Sequence, residues 1–188
     1  MTIWPPEPEQ DPDSGEARDA DFSRFYRSSF SPLVSRCLRI GVPASEAPGI
    51  VQELMLEIYR RWPDIGSAER YASKTIAMRA AGFLKISAST LPKDMADLAR
   101  LGRPLTSAMP DGILAVNEGQ LVLQALRQLP PVQRAVFALD YDGFTSTDIA
   151  AILNMGEATV RSNLRHARAA LRTWWEQTSP PAGRRCDQ

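Results

Sequence analysis

Four arginines near the carboxyl-terminal end of the chain recur at helical spacing, separated by four, three and four positions. They are Arg161, Arg165, Arg168 and Arg172. This spacing places their side chains on one face of an α-helix, and an apolar series from Val160 to Leu171 repeats it one residue earlier. A row of guanidinium groups beside a buried stripe is suited to the phosphates and base edges of DNA. The alternative is the ordinary solvated face of an amphipathic helix.

The residues before this helix indicate a helix-turn-helix. A short apolar helix is predicted to begin at an N-cap, Ser146. Asn154-Met155-Gly156 then predicts a tight turn, because asparagine and glycine both tolerate positive φ. Ala150 and Ala151 are small enough to permit a close crossing of the two helices. A short helix, a three-residue turn and a basic second helix are the parts of a helix-turn-helix.

The position of each polar residue on the second helix suggests its role. The first turn of such a helix can enter the major groove, so we expect Thr159, Arg161 and Ser162 to reach base edges or phosphates. Arg165 and Arg168 lie further along the helix and are expected to contact the DNA backbone.

Helical periodicity extends over most of the chain, without β-alternation or an internal repeat, so the predicted class is all-α. We expect two small helical domains joined by a flexible linker rich in proline and glycine. Pro32 is expected to kink or split the first helix, and Ser45 to cap the second. The predicted division is a disordered acidic leader at 1–20, a first domain at 21–86, the linker at 87–116, a second domain at 117–176 and a tail at 177–188.

The charge of the chain is unevenly distributed. Among 188 residues, 22 basic side chains balance 22 acidic ones. Residues 1–20 hold six of the acids against one arginine, which leaves twenty-one bases and sixteen acids in the remainder. A modest positive balance outside the leader is compatible with DNA binding, whereas the neutral total alone would argue against it.

Several classes of protein are disfavoured by what the sequence lacks. No apolar run approaches the ~20 residues of a membrane span, and the first residues do not have the pattern of a signal peptide, so we expect a cytoplasmic protein. Cys37 is predicted to lie in the core, His166 is predicted to lie on the surface, and neither belongs to a metal-ligand spacing. We expect no metal and no cofactor. Without a nucleophile–base pair, paired catalytic carboxylates or a phosphate-binding glycine loop, the chain is predicted not to be an enzyme.

Residues 125–172 resemble region 4, the promoter-recognition domain of the extracytoplasmic-function (ECF) sigma factors of bacterial RNA polymerase. The family pattern is a leucine-proline-proline start, a glutamine-arginine pair, an EIA-like triplet and a TVRS helix. The matching segments here are Leu129-Pro130-Pro131, Gln133-Arg134, Asp148-Ile149-Ala150 and Thr159 to Leu171. Asn154 replaces the usual glycine of the turn, and Gly156 replaces the usual serine cap.

Residues 22–85 resemble region 2 of the same family, a helical domain that binds core polymerase and opens the −10 element. Gln52-Glu53 matches the glutamine-glutamate pair of that region, so the resemblance implies that these two residues meet the clamp helices of the β′ subunit. Two departures are visible, since Pro48-Gly49 stands where an acidic pair is usual and Met78 where asparagine is usual.

Three residues of the third predicted helix are candidates to stack on or pair with the melted −10 strand. They are Tyr71, Lys74 and Arg79. Tyr71 and the nearby Trp62 can equally be aromatic residues of the core.

The resemblance implies a dissociable transcription initiation factor. Region 4 would read the −35 element, region 2 would capture unpaired bases near −10, and core RNA polymerase would be bound through its β′ clamp helices and its β subunit. Promoter DNA and an anti-sigma factor are the other implied partners. Two alternatives stay open: a helix-turn-helix regulator that acts without the polymerase, which Pro48-Gly49 favours, and a sigma-like interaction module, which the altered region 2 allows.

Overall fold

The computed structural model describes residues 12–90 and 118–178, which form seven α-helices and one short 3₁₀ turn and contain no strand. We call residues 12–90 the N-terminal unit and residues 118–178 the C-terminal unit. The predicted all-α class is confirmed. The helices are α1 (Pro12–Ile40), α2 (Ala47–Arg60), α3 (Ala68–Thr90), α4 (Glu118–Arg127), α5 (Pro131–Tyr141), α6 (Ser146–Leu153) and α7 (Glu157–Thr178), and the 3₁₀ turn is Trp62–Asp64.

The N-terminal unit is built on the apolar faces of α1, α2 and α3. Their periodic side chains meet in a core that includes Val34, Cys37, Val51, Leu54, Ile58 and Ile76. Full burial stabilises an aliphatic side chain of this size by about 1.5–3 kcal/mol. Cys37 is fully buried, as predicted, and burial raises the pKa of its thiol to about 12. The thiol therefore stays protonated at neutral pH and acts as a core residue.

The first helix begins at Pro12, which corrects the prediction that residues 12–20 are disordered. Two residues of this segment bind α2. Arg18 donates a hydrogen bond to the Tyr59 carbonyl oxygen at 2.8 Å, and the Tyr59 hydroxyl donates to Asp19 at 2.9 Å. Acidic side chains near a helix N-terminus also interact favourably with the helix dipole. Residues 1–11 of the predicted leader lie outside the described residues.

Pro32 lies inside α1, which continues as one helix to Ile40, so the proline does not split it. A proline in a helix interior removes one backbone hydrogen bond and costs about 3 kcal/mol. The residues that follow, Leu33, Val34 and Cys37, are buried in the core. Their packing offsets the loss, because most helical stability in a protein comes from tertiary contacts.

The N-terminal ends of the helices agree with the sequence in part. Pro131 is the first residue of α5, as predicted, and Pro48 lies in the first turn of α2. Glu46 rather than Ser45 is the N-cap of α2, and it makes no side-chain capping bond. Proline in the first turn lacks an N–H that a cap would otherwise need to bind, which lessens the need for a capping side chain.

The C-terminal ends of two helices extend beyond their predicted limits. Helix α3 reaches Thr90 and so includes the start of the predicted linker, whereas residues 91–117 lie outside the described residues. Helix α7 reaches Thr178 and includes the start of the predicted tail, whose residues 179–188 also lie outside them.

The C-terminal unit packs α5, α6 and α7 around a small core. Its fully buried residues are Val136, Ala138, Leu139, Ile149 and Val160. Helix α4 packs on the middle of α7, where Leu126 and Leu129 enclose Ala167. The apolar stripe of α7 is therefore buried from Val160 to Ala167 and partly buried at Leu171, and the arginines that follow each of its residues lie exposed on the adjacent face of the helix.

The two units pack against each other through α1 with α5 and α3 with α6. Most of their buried apolar residues form one continuous cluster, whereas Leu126, Leu129 and Ala167 form a separate small one between α4 and α7. Polar contacts surround it, including two ion pairs in which Arg36 and Arg39 of α1 bind Asp142 at 2.8 and 2.6 Å.

Candidate nucleic-acid interface

The helix-turn-helix begins with a capping box at the start of α6. The Asp148 backbone N–H donates to the Thr145 hydroxyl at 3.1 Å, and the Thr145 backbone N–H donates to the Asp148 carboxylate at 3.1 Å. Thr145 is therefore the N-cap, one residue before the predicted Ser146. The sequence carried this signal, because threonine followed three residues later by an acid is a variant of the capping-box pattern. The next residue, Ile149, is fully buried and anchors the helix.

The Asp148 carboxylate accepts bonds from both the Thr145 hydroxyl and its backbone N–H. These bonds, in that order, lower the pKa of Asp148, and the charge of Lys74 in α3 lowers it further. Asp148 therefore remains ionised and fixes the entry to α6.

The turn between α6 and α7 has the predicted geometry at its asparagine. Asn154 adopts the left-handed conformation with φ of 52°, and it follows the last residue of α6. The Met155 N–H then donates to the Ala150 carbonyl at 3.0 Å, so the turn satisfies a carbonyl at the end of α6. This closure sets the direction in which α7 leaves the turn.

The first turns of α7 present the three residues that are predicted to reach base edges or phosphates. Thr159 and Arg161 are exposed and Ser162 is partly exposed. The Arg161 side chain is 63% exposed, and its guanidinium lies 3.4 Å from the Glu157 carboxylate one turn earlier. An exposed pair of this kind contributes only a few tenths of a kcal/mol, so the guanidinium is readily released to another anion.

The arginine stripe lines a groove of about 590 Å³ on the surface of the C-terminal unit. Its lining residues include Arg161, Arg165, Arg168, Arg172, Asp140 and Ser146. Arg168 donates to the Asp140 carboxylate at 2.9 Å, whereas Arg165 has no ion-pair partner among the described residues. The groove is thus a mainly cationic surface with one acid at its edge. His166 is exposed on α7, in agreement with its predicted surface position.

The three predicted −10 residues of α3 do not form one free surface. Tyr71 and Arg79 both donate to the carboxylate of Glu57 in α2. The Tyr71 hydroxyl, followed by the Arg79 and Arg61 charges, lowers the pKa of Glu57. Lys74 is exposed and lies on the side of α3 that faces Asp148 of the other unit.

Trp62 is packed among the aromatic residues of the N-terminal unit. Its ring centroid lies 5.4 Å from that of Phe22 and 5.5 Å from that of Phe25. These contacts favour the interpretation of Trp62 as a core residue.

The two predicted polymerase-binding residues are exposed on α2. Gln52 borders an apolar groove, also lined by Leu56, Tyr26 and Tyr59, that opens on the same side of the N-terminal unit. Glu53 is largely free, because its contact with Arg79 is 4.0 Å long.

Two acids that contact the candidate residues, and a third that joins the two units, were not singled out as partners in the sequence. Glu57 binds Tyr71 and Arg79, Asp140 binds Arg168, and Asp142 joins the two units. Only Glu57 lies at a spacing that could have signalled a partner, since Arg61 is one helical turn later.

The described residues give no indication of metal binding or membrane insertion. No group of three or more histidine, cysteine or acidic side chains in residues 12–90 and 118–178 could hold a metal ion. None of the helices within those ranges is long and apolar enough to cross a bilayer.

Comparison with known proteins agrees with the geometry. The family described as Sigma-70, region 4 matches residues 119–171, which contain all but the first residue of α4, the whole of α5 and α6, and the first two thirds of α7. The ECF RNA polymerase sigma factor SigL of Mycobacterium tuberculosis strain H37Rv is 32% identical over 159 residues, covering 79% of this chain and 85% of SigL, and SigL of strain CDC 1551 matches equally. The sigma factor RpoE in its co-crystal structure with the anti-sigma factor NepR from Bartonella quintana has a TM-score of 0.53 at 17% identity, over 85% of this chain and 99% of RpoE, which is a likeness of fold. The extent and identity of the SigL match, together with the helix-turn-helix and its arginine groove, show that this chain belongs to the ECF family of RNA polymerase sigma factors.

Proposed function

We propose that this chain binds core RNA polymerase and directs it to promoters by contacting the −35 and −10 elements. Membership of the ECF sigma family makes the chain a transcription factor rather than an enzyme. Contact with promoter DNA is supported above all by the exposed arginine groove of α7. This groove lies on a capped helix-turn-helix within the segment that matches sigma region 4.

The −35 element is assigned to α7. Thr159, Arg161 and Ser162 lie in its first two turns, the part of a recognition helix that enters the major groove. Arginine is suited to guanine there because its two N–H groups can bind O6 and N7 together. Arg165 and Arg168 continue the groove and are assigned to the phosphates, which fix the register of the helix on DNA.

The −10 element is assigned to α3, with Lys74 as its most available residue. Tyr71 and Arg79 take part only if they release Glu57, whose carboxylate they now bind. The free energy of DNA binding would have to exceed that of these charge-assisted bonds.

Polymerase binding is assigned to the exposed surface of α2 around Gln52 and Glu53, facing the β′ clamp helices, with the C-terminal unit meeting the β subunit. The proposal divides the work between residues 21–86 and residues 117–176, joined by residues 87–116, and places the protein in the cytoplasm with its polymerase. An anti-sigma factor is proposed as the regulator, supported by the likeness of fold to a sigma factor crystallised with one.

The proposal is tested by mixing the purified chain with core polymerase and measuring co-elution by size exclusion. We expect one complex, which weakens when Gln52 and Glu53 are both replaced by alanine and is unchanged by Glu46→Ala on the same unit. A chain that shifts DNA in a gel but never co-elutes with core polymerase would be a helix-turn-helix regulator of another kind.

A further inference from the structure

We propose that a polar latch holds the two units closed and must open before both promoter elements can be contacted. The latch consists of Arg36 and Arg39 of α1 with Asp142 and Arg134 of the C-terminal unit. The contacts between the two units are sufficient evidence for the latch itself. Its consequence for promoters rests on the proposed function.

Asp142 is the centre of the latch. One carboxylate oxygen accepts from Arg36 Nε at 2.8 Å, and the other accepts from a terminal guanidinium nitrogen of Arg39 at 2.6 Å. The Asp142 side chain is only 4% exposed, and the two arginine side chains are 17% and 20% exposed. Two partly exposed cations of α1 thus enclose one buried acid that follows α5.

Aromatic rings and a hydroxyl hold the two arginines in position. The Arg36 guanidinium lies 5.8 Å from the centre of the Phe144 ring, and that of Arg39 lies 5.7 Å from the Tyr141 ring. Both rings belong to the C-terminal unit and flank Asp142 in sequence. Arg36 also donates to the Ser73 hydroxyl at 2.6 Å, which joins α3 to the same network.

Arg134 provides a second contact at the carboxyl end of α1. Its guanidinium donates to the carbonyl oxygens of Leu38 and Arg39, at 2.9 Å for the latter. These carbonyls lie in the last turn of α1, where the helix dipole favours a cation. Burial lowers the pKa of Arg134 to about 10, so the side chain remains charged at neutral pH.

The latch is not fully satisfied. Arg39 Nε is buried and has no hydrogen-bond partner among the described residues. An unpaired buried donor costs free energy, and opening the units would expose it to water. This cost brings the closed and open states closer in free energy than a perfectly paired contact would.

The dimensions of the closed form prevent it from contacting both elements. The −35 and −10 elements are named for their positions on the DNA, so they lie roughly 25 base pairs apart, or about 85 Å along B-form DNA. A compact body of the size of the two described units measures roughly 40 Å across. In the closed form Lys74 of α3 also lies near Asp148 of the helix-turn-helix. Since the base-contacting residues of α7 remain accessible, the closed form can bind −35 DNA alone.

The latch is tested by small-angle X-ray scattering of the full chain. Asp142→Asn removes the charge that both arginines bind, and Asp64→Asn removes an exposed acid that lies outside the contact between the units. We expect at least about a tenfold shift toward the open form with Asp142→Asn, seen as a larger radius of gyration, because an unpaired buried charge is strongly disfavoured. Asp64→Asn should scatter like the parent.

Two further variants guard against a folding defect. Arg36→Gln and Arg39→Gln should each enlarge the radius of gyration, and adding Arg39→Gln to Asp142→Asn should enlarge it little further, since the two residues share one interaction. Circular dichroism reports helix content in each case. An unchanged radius of gyration in variants that keep their helix content would overturn the latch.

A transcription assay with core polymerase connects the latch to the proposed function. At limiting factor, Asp142→Asn should increase promoter complexes by up to about tenfold, because less binding free energy is used to open the units. Binding to a short duplex that carries only the −35 element should be equal for parent and variant. A larger radius of gyration with no polymerase-dependent activity in either protein would refute the proposed function and leave the latch standing. Activity with an unchanged radius would refute the latch alone.

Discussion

The arginines of the α7 groove, which we propose bind DNA, differ in their ion-pair partners within the protein. Arg161 forms an exposed pair within its own helix, Arg168 is held by Asp140 from α5, and Arg165 has no ion-pair partner among the described residues. The sequence predicted the stripe from its spacing. It could not predict the Asp140 contact, because 28 residues separate the two partners.

Arg161 is expected to read a base pair, and Arg165 to bind phosphate. Arg161→Ala should cost about 1–3 kcal/mol on the preferred −35 sequence and much less on sequences altered at one position. Arg165→Ala should weaken all sequences equally and reduce the slope of affinity against salt concentration by about one. Fluorescence anisotropy on a set of single-base variants measures both. Arg24→Ala, on an exposed part of α1, is the control, and an equal loss on every sequence for Arg161→Ala would assign that residue to phosphate.

The pKa of Glu57 is expected to rise once its main hydrogen-bond donor, Tyr71, is removed. Tyr71→Phe should raise the pKa of Glu57 toward the ordinary value of 4.5, because the Tyr71 hydroxyl is the largest cause of its lowering. Carboxyl NMR titration measures the change, and Tyr59→Phe, which removes a bond to Asp19 instead, should leave the pKa of Glu57 unchanged.

The same shift has a consequence for stability. Because the pKa of Glu57 is lower in the folded protein, its contribution is present above the pKa of the unfolded chain and is lost as pH falls through the folded value. The parent should therefore lose more stability than Tyr71→Phe between neutral and acidic pH. An equal loss would show that the bond does not act on the carboxylate.

At the scale of helices, local sequence signals predicted the elements better than their ends. The 3.6-residue period and the prolines located α5 and α7, and the Asn154 turn has the expected left-handed conformation. Helix α1 was predicted too short, because its acidic first turns have no apolar period. They are held in place by Arg18 and Asp19, which bind Tyr59 of α2. The start of α1 therefore depends on a tertiary contact, and the local sequence pattern does not reveal such a contact.

The capping box of α6 is expected to contribute measurably to stability. Thr145→Ala removes the hydroxyl that accepts the Asp148 N–H, and should lower the free energy of unfolding by about 1 kcal/mol. Thr173→Ala removes a hydroxyl that binds only a carbonyl of its own exposed helix, and should change it by less than about 0.5 kcal/mol. Urea unfolding compares the two. Equal effects would mean that the box does not stabilise the start of α6.

Pro32 is expected to limit the stability of α1. Pro32→Ala restores a backbone donor inside an otherwise continuous helix, and should raise the free energy of unfolding by about 1–3 kcal/mol. Pro48→Ala is the matched control, since proline is tolerated in the first turn of α2 and no such gain is expected there. Thermal unfolding measures both, and a destabilised Pro32→Ala variant would indicate that the proline is needed for packing.

At the scale of the whole molecule, the contact between the units was the least predictable feature. Asp142 meets Arg36 and Arg39 across more than a hundred residues of sequence, and no local pattern announces such a pairing. The charge balance is informative only when it is counted segment by segment. Basic side chains gather at α7 and at the carboxyl end of α1, whereas the first twenty residues are acidic.

We propose that this chain gives core RNA polymerase the ability to start at promoters. The most direct measurement is transcription by purified core polymerase from genomic fragments of the source organism, with and without the chain, followed by sequencing of the RNA 5′ ends. We expect new start sites that appear only with the chain, share one sequence near −35, and are lost with Arg161→Ala but kept with Arg24→Ala. The same start sites with and without the chain, under conditions where it binds DNA, would show that the chain does not direct the polymerase to promoters.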